Sequence, residues 1–257
     1  MKKIILEKMF DNQVWKIILN DPKANIIDSI MLGEIMSVMK DASNEKHCKL
    51  IILQGGGNHF SFGVSVEEHT PDLAAGMLNQ FHEFFIELSN ISIPVCSMVS
   101  GFCLGGGLEF AAFANFVFAD ETAKMGQPEV VLSVFPTAAA VMLPQKIGQT
   151  YADDIILTGR TVGAKEAKSM GLVNEVYADK QAMEEGVNAW IKEHILPKSA
   201  SALRLVNKVA RWRFHQRLRD DLHQFTAIYL NETMKTFDGN EGLNSFLEKR
   251  KPVWKDE

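Results

Sequence analysis

The sequence predicts an α/β fold in which strands alternate with helices along most of the chain. Residues 14–19, 50–53 and 93–99 are apolar, rich in β-branched side chains and bounded by turn-forming residues, which is typical of buried strands. The stretches between them, residues 28–42 and 73–90, carry apolar side chains at helical spacing. Strands separated by helices of this length indicate crossover units and therefore an α/β core.

The later part of the chain is predicted to be mainly helical. Residues 116–119 are short and apolar and fit either a strand or the end of the preceding helix. Beyond them, helical patterns cover residues 180–194, 199–219, 220–236 and 240–251. We therefore expect an α/β body over residues 1–195 and a helical region over residues 196–257.

Composition and charge exclude several classes of protein. The 257 residues include 27 Lys and Arg against 32 Asp and Glu, a net charge of −5, which does not favour binding to nucleic acid. Three cysteines form no paired motif and the histidines show no metal-ligand spacing, so we expect a reducing compartment and no metal site. The apolar runs are too short for a signal peptide or a membrane span, and the prediction is a cytoplasmic protein.

A glycine-rich loop is predicted directly after the second strand. Residues 54–65 read QGGGNHFSFGVS, and the glycines allow a ligand to approach the backbone closely. A phosphate-binding loop would need a Gly-Lys-Ser/Thr sequence, which is absent. An ordinary connection between a strand and a loop remains the alternative.

A second glycine-rich segment follows the third strand and opens a helix. Residues 100–110 read SGFCLGGGLEF. The free N–H groups at the start of a helix, together with the helix dipole, suit an anion or a developing oxyanion. The alternative is a glycine-rich turn that only lets the helix pack tightly.

Two glutamates lie in apolar surroundings close to these segments. Glu109 is followed by a stretch that is apolar on nearly every face, and Glu129 follows Pro128 and precedes another apolar run. Each has a structural alternative, an exposed helix end for Glu109 and a solvated turn for Glu129. Because burial raises the pKa of a carboxyl group, the pair indicates acid/base chemistry on a carbonyl compound, with one group activating water and the other protonating carbon.

Basic residues are frequent in the helical region. Arg204, Lys208, Arg211 and Arg213 belong to this set, and residues 249–251 extend it. They fit either a solvated helix face or contacts with the phosphates of an anionic cofactor handle.

Short motifs occur in a characteristic order along the chain. They read FSFGVS at residues 60–65, GFCLGGGLE at 101–109, GQPE at 126–129, LTGR at 157–160, AKEA and MGLV at 164–173, and EG followed by FLEKRK at 241–251. Together they resemble the enoyl-CoA hydratase (crotonase) superfamily, and the resemblance covers essentially the whole chain.

The resemblance implies an architecture and a catalytic apparatus. The fold would be a spiral of ββα units followed by a helical trimerisation region, assembled as a homotrimer or as a homohexamer made of two trimers. The backbone N–H groups of Val64 and Gly106 would hold the thioester oxygen, while Glu109 and Glu129 would handle water and proton. The substrate would be an acyl-CoA thioester, with no separate cofactor. Further residues are implied to contact the acyl group or coenzyme A: Ser61, Phe62, Ser65, Val66, Phe135, Phe246 and Lys249.

Two departures from the family pattern concern the substrate. Ser65 stands where an acidic residue is common, and residues 134–140 replace a glycine-rich stretch at the acyl pocket. With Gln-Pro-Glu retained, these stretches resemble the cyclohexa-1,5-diene-1-carbonyl-CoA hydratases of anaerobic benzoyl-CoA degradation. This implies addition of water to that ring thioester, giving 6-hydroxycyclohex-1-ene-1-carbonyl-CoA. One alternative is a general 2-enoyl-CoA hydratase of fatty-acid β-oxidation. The other is a non-catalytic RNA-binding or scaffold relative. The acidic net charge argues against RNA binding, and the presence of both glutamates argues against a non-catalytic protein.

Overall fold

The computed structural model of the chain describes residues 1–22, 24–70 and 72–257. Its strands are β1 Ile4–Met9, β2 Val14–Leu19, β3 Leu50–Gly55, β4 Val95–Val99, β5 Phe102–Leu104, β6 Phe116–Asp120, β7 Lys124–Gly126, β8 Thr161–Gly163 and β9 Glu175–Tyr177. Its α-helices are α1 Ser29–Asn44, α2 Ala74–Ser89, α3 Gly106–Phe113, α4 Thr137–Thr158, α5 Ala164–Ser169, α6 Lys180–His194, α7 Ala200–Ala210, α8 Trp212–Asn231 and α9 Phe237–Leu247. Short 3-10 helices cover Val66–His69, Pro128–Leu132 and Thr233–Lys235.

The main sheet has the strand order β1-β2-β3-β4-β6-β9. β1 pairs with β2 antiparallel, and every following pair is parallel. The predicted α/β class is therefore confirmed, and the segment 116–119 is a strand. β1 was not predicted, because Glu7 and Lys8 interrupt its apolar residues. It is an edge strand with one fully buried position, Ile4, which leaves little pattern to detect.

Helices cover both faces of this sheet, which explains the nearly continuous apolar runs of its strands. In β3 the side chains of Ile51 and Leu53 belong to the larger core, which lies under α1, α2 and α3. Those of Leu50 and Ile52 point to the opposite face and pack with Met183 and other buried residues of α6.

A small sheet of β5, β7 and β8 lies beside the main one and positions two of the segments singled out above. β5 and β7 run parallel, with Leu104 paired to Gly126. The N–H of Gly105 donates to the carbonyl of Gly126 at 3.0 Å. This pairing brings the glycine triplet at the start of α3 next to the Gln-Pro-Glu segment that follows β7.

The C-terminal helices differ in part from the expectation. The predicted helix over residues 199–219 is divided at Arg211, and α8 continues through the predicted boundary at residue 220. α8 packs against both α2 and α4, and its buried side chains join the larger core. Within the described residues, none of the helices combines the length and apolar character needed to cross a bilayer.

Candidate active site

A cavity of about 330 Å³ lies where the loop after β3 meets the start of α3 and the segment between β7 and α4. Residues of α2 form one wall, and residues of α8 and α9 form another. Most of the lining is apolar. Eight of the residues proposed from the sequence line it: Phe62, Val64, Val66, Gly106, Glu109, Glu129, Phe135 and Phe246.

The glycines at the start of α3 are required by close packing against the preceding loop. A Cβ atom at Gly106 would lie 2.8 Å from Val64 Cγ2 and 3.4 Å from the backbone nitrogen of Val64. A Cβ atom at Gly107 would lie 2.8 Å from the carbonyl oxygen of Ser61. The absence of side chains therefore lets the backbones of Val64 and Gly106 approach each other closely at the cavity, which both residues line. Neither of their N–H groups donates a hydrogen bond to another described residue, so both are free to bind a ligand oxygen.

Hydrogen bonds of Ser61 fix the loop that carries Val64. The buried Ser61 hydroxyl donates to the carbonyl of Asn25 at 2.7 Å and accepts from the N–H of Gly63 at 3.0 Å. The carbonyl of Gly63 in turn accepts from the N–H of Ile27 at 2.9 Å. Ser61 was expected to contact the ligand, but its side chain lies beneath the loop and does not line the cavity.

Asn25 is a structural residue of the site that the sequence did not reveal. Its side-chain amide donates to the carbonyls of Gly56, His59 and Phe60 at 3.0 to 3.1 Å. It has φ of +57°, a conformation that asparagine tolerates better than most residues. These contacts span more than thirty residues of sequence, so no local pattern identifies them.

Glu109 lies in the first turn of α3 and is only 4% exposed. The N–H of Ala139 at the start of α4 donates to its Oε1 at 2.7 Å. Burial raises the pKa of Glu109 to about 7, although the amides of Ala139 and Ala138 partly offset this by stabilising the carboxylate. The exposed helix end considered as an alternative is therefore excluded, and Glu109 can exchange a proton near neutral pH.

Glu129 lies in the 3-10 helix after β7 and faces the same cavity. Burial and the negative charge of Glu109 raise its pKa well above the ordinary value, so Glu129 favours the protonated form. With its amide nitrogen turned toward Glu129, the buried Gln127 donates to both carboxyl oxygens at 2.9 and 3.0 Å. A Cβ atom at Gly105 would lie 2.8 Å from Glu129 Oε1. Gln127 fixes the carboxyl group, a role that the sequence motif did not indicate.

The other predicted contact residues do not line the cavity. Ser65 precedes the 3-10 helix, and its carbonyl lies 2.9 Å from Nδ1 of His69, which does line the cavity. Lys249 is exposed beyond the end of α9, where its N–H donates to the carbonyl of Phe246 at 3.1 Å. Phe246 itself is 54% exposed at the cavity.

Tyr229 of α8 is a further cavity residue that the sequence analysis did not single out. Its side chain is 1% exposed, and its ring centroid lies 5.3 Å from that of Phe135. The helical region therefore contributes directly to the site.

Two of the basic residues, Arg204 and Arg211, donate to backbone carbonyls. They therefore form neither a solvated helix face nor contacts with a ligand phosphate, the two interpretations offered for the basic residues. Arg204 donates to the carbonyls of Ser43 and Glu45 near the end of α1, at 3.0 and 2.6 Å. Arg211 donates to the carbonyls of Phe113 and Ala114 at the end of α3. Ser43 and Phe113 lie in the last turns of α1 and α3, where carbonyls lack partners within the helix, so both arginines satisfy acceptors at helix ends.

Comparison with known proteins assigns the family. The model of the enoyl-CoA hydratase/isomerase family matches residues 9–257. The chain belongs to the enoyl-CoA hydratase/isomerase family. It is therefore an enzyme, and the resemblance indicated by its motifs is confirmed.

Individual members of the enoyl-CoA hydratase/isomerase family show how far the similarity extends. The chain is 38% identical to cyclohexa-1,5-dienecarbonyl-CoA hydratase of Thauera aromatica, over 98% of this chain and 96% of the relative. It is 33% identical to a probable enoyl-CoA hydratase of Rhizobium meliloti, over 95% of each chain. The crystal structure of an enoyl-CoA hydratase from Mycobacterium avium subsp. paratuberculosis superposes with a TM-score of 0.85 at 21% identity, covering 100% of both chains, and supports the fold.

Proposed function

We propose that the enzyme is a hydratase that adds water to cyclohexa-1,5-diene-1-carbonyl-CoA and forms 6-hydroxycyclohex-1-ene-1-carbonyl-CoA. One observation carries the proposal of a hydratase: the buried carboxyl group of Glu109 and the partly buried one of Glu129 face one apolar cavity, together with two backbone N–H groups that no described residue accepts from. The choice of a ring substrate is supported by the 38% identity to the hydratase of Thauera aromatica.

The reaction begins with binding of the thioester. The N–H groups of Val64 and Gly106 hold the thioester oxygen and stabilise the negative charge that develops on it during addition. The apolar walls from α2 and Phe135 surround the ring and exclude bulk water.

The two carboxyl groups divide the proton transfers. Glu109, whose pKa is about 7, takes a proton from water as the oxygen attacks the β-carbon. Charge then spreads over the dienolate to its far end, where Glu129 delivers its proton, and the ring double bond moves to the position found in the product. Passage of a proton from Glu109 to Glu129 restores the starting state, so one water is added and both carboxyl groups are regenerated.

A general 2-enoyl-CoA hydratase is the second candidate. It is favoured by the 33% identity to a probable enoyl-CoA hydratase, since the same apparatus would serve a straight chain. The ring substrate is supported further by Val134, Phe135 and Pro136, which line the cavity with bulky side chains and a stiff backbone.

A rate comparison with three thioesters tests the proposal. Purified enzyme is assayed with the cyclic dienoyl-CoA, crotonyl-CoA and decenoyl-CoA, following absorbance and the mass gain of one water. We expect the highest kcat/KM for the ring and the lowest for decenoyl-CoA, because each extra methylene changes binding in an apolar pocket by about 1–3 kcal/mol. A higher kcat/KM for either straight chain would favour the second candidate.

Assembly and coenzyme A binding form part of the same proposal. A row of apolar side chains on α7 and at the start of α8 is half or more exposed: Leu205, Val206, Val209 and Trp212. We propose that residues 196–257 form contacts in a homotrimer or homohexamer, and that Phe246 and Lys249 contact the adenine and phosphates of coenzyme A. Light scattering of the purified protein measures the assembly, and a monomer would contradict this part.

A further inference from the structure

The hydroxyl group of Tyr229 is a buried polar group that pairs with no residue in the described part of the chain. The side chain is 1% exposed and lines the cavity, yet its oxygen makes no hydrogen bond with any described residue. Buried polar groups are normally hydrogen-bonded, because an unpaired one lowers stability. The fold therefore carries an unsatisfied hydroxyl at the wall of its own active-site cavity.

The position of Tyr229 does not depend on its hydroxyl group. One turn earlier on α8, the Thr226 hydroxyl lies 2.6 Å from Nδ1 of His82 on α2. The other ring nitrogen of His82 lies 2.6 Å from the hydroxyl of Thr137 on α4. This chain of polar contacts fixes the three helices relative to one another, and the Tyr229 ring then packs against Phe135. The hydroxyl is thus available to a ligand.

The surroundings keep the phenol protonated. Burial and the charge of Glu129 both raise the pKa of Tyr229 above its ordinary value. A neutral phenol donates one hydrogen bond and also accepts, so it can bind either a water molecule or an alcohol.

In the proposed reaction, the substrate and the added water bring few polar atoms into this cavity. The thioester oxygen is assigned to the N–H groups of Val64 and Gly106, and the ring itself is apolar. The remaining polar atom near the ring is the oxygen of the added water, which becomes the hydroxyl of the product. We propose that the Tyr229 hydroxyl binds this oxygen as a third group beside Glu109 and Glu129. The inference rests on the proposed hydratase function.

Tyr229→Phe removes the hydroxyl and retains the ring that packs against Phe135. We expect kcat to fall about tenfold while KM for the thioester changes less than twofold. Thermal stability should stay the same or rise, because the variant no longer buries an unpaired oxygen. A hydroxyl with a structural role would give the opposite result, a loss of stability.

Ser97→Ala is the matched control. Ser97 on β4 also carries a fully buried hydroxyl without a partner in the described structure, but it does not line the cavity. The control should leave kcat unchanged and should not lower stability. An equal loss of kcat in both variants would overturn the assignment to Tyr229.

Inhibition constants are a second readout. They report how tightly the two thioesters named below bind, whether or not the enzyme converts them. The product 6-hydroxycyclohex-1-ene-1-carbonyl-CoA and cyclohex-1-ene-1-carbonyl-CoA differ by the hydroxyl alone. In initial-rate assays, Tyr229→Phe should weaken inhibition by the hydroxylated thioester about tenfold and leave inhibition by the other within twofold.

The possible outcomes separate the two proposals. If both thioesters inhibit the variant as they inhibit the wild type, the Tyr229 assignment is wrong and the hydratase proposal stands. If the wild type neither hydrates the thioesters nor is inhibited by them, the hydratase proposal fails and the assignment fails with it.

Discussion

The N–H of Ala139 donates a 2.7 Å hydrogen bond to Oε1 of Glu109, so the first turn of α4 holds a carboxyl group that α3 carries into the cavity. The bond favours the carboxylate, whereas burial favours the neutral acid. Burial prevails, and the pKa of Glu109 rises to about 7. A group with this pKa changes its protonation state over the range in which the enzyme would work.

The first prediction concerns the pH dependence of the rate. Glu109 accepts a proton only as the carboxylate, so kcat/KM should fall as the pH drops below about 7. Initial rates with the cyclic dienoyl-CoA between pH 5 and 9 measure this limb. A value of kcat/KM that stays constant down to pH 5, as for a carboxyl group with the ordinary pKa of about 4.3, would contradict the role of Glu109.

The second prediction concerns the two carboxyl groups. Glu109→Gln and Glu129→Gln should each lower kcat by about 100-fold or more, because each removes one proton transfer. Binding of the thioester, measured by calorimetry, should change little. Glu184→Gln, a partly exposed position on α6 outside the cavity, is the control and should retain full kcat. Near-wild-type turnover in either cavity variant would remove that residue from the mechanism.

A stability measurement accompanies Glu109→Gln. The raised pKa means that the folded protein loses stability as the pH rises from about 4.3 through 7, since the unfolded chain ionises first. The variant should lack this loss. The Tm of the variant minus the Tm of the wild type should therefore be larger at pH 8 than at pH 5.

The third prediction concerns the backbone at Gly105. This residue has φ of +52°, and an added Cβ would lie 2.8 Å from Glu129 Oε1. Gly105→Ala should therefore displace the carboxyl group and lower kcat about tenfold or more, besides costing about 1–3 kcal/mol of stability for the strained backbone conformation. Gly171→Ala is the control, since Gly171 has φ of +86° but its nearest contact is at 3.9 Å. It should lose stability and keep its kcat; equal kcat in both variants would contradict the role of Gly105.

The fourth prediction concerns acid stability. Burial lowers the pKa of His82 to about 4, so on acidification the unfolded chain takes up a proton before the folded one does. The free energy of unfolding should fall between about pH 6.5 and 4, by at most about 3 kcal/mol from this residue. His82→Gln should reduce that fall, and His47→Gln, at an exposed site, should not. His215, whose pKa is also lowered to about 4 by burial, leaves part of the fall in both variants.

Sequence alone predicted the elements whose pattern is local. β2 has the predicted bounds, and α1, predicted over residues 28–42, spans Ser29–Asn44 after the capping residue Asp28. The break between α7 and α8 could not be predicted, because no glycine or proline marks it. It occurs at Arg211, whose guanidinium reaches the carbonyls at the end of α3. A tertiary contact of this kind has no signature in the neighbouring residues.

In the site, too, residues with a local sequence signal were predicted and residues positioned by tertiary contacts were not. Glu109 and Glu129 were detected because a carboxyl group in an apolar sequence is unusual. Asn25 and Tyr229 were not singled out, because their roles arise from contacts with residues distant in sequence or from packing around the cavity. Gln127 stood in a recognised motif, but its role in holding Glu129 was not predicted. A polar residue in a polar or helical stretch has no local sequence pattern that predicts a place in the site.

The contribution of α8 and α9 to the cavity also bears on the order of events during synthesis. A ribosome that has made residues 1–195 has completed α2 and α4 but not the helices that cover them. The 62 residues from 196 to 257 take on the order of 3 to 12 s to translate at about 5–20 residues per second. Throughout that interval the apolar surfaces of α2 and α4 are open to chaperones and to neighbouring nascent chains, and catalytic competence is acquired only after α8 and α9 have been made.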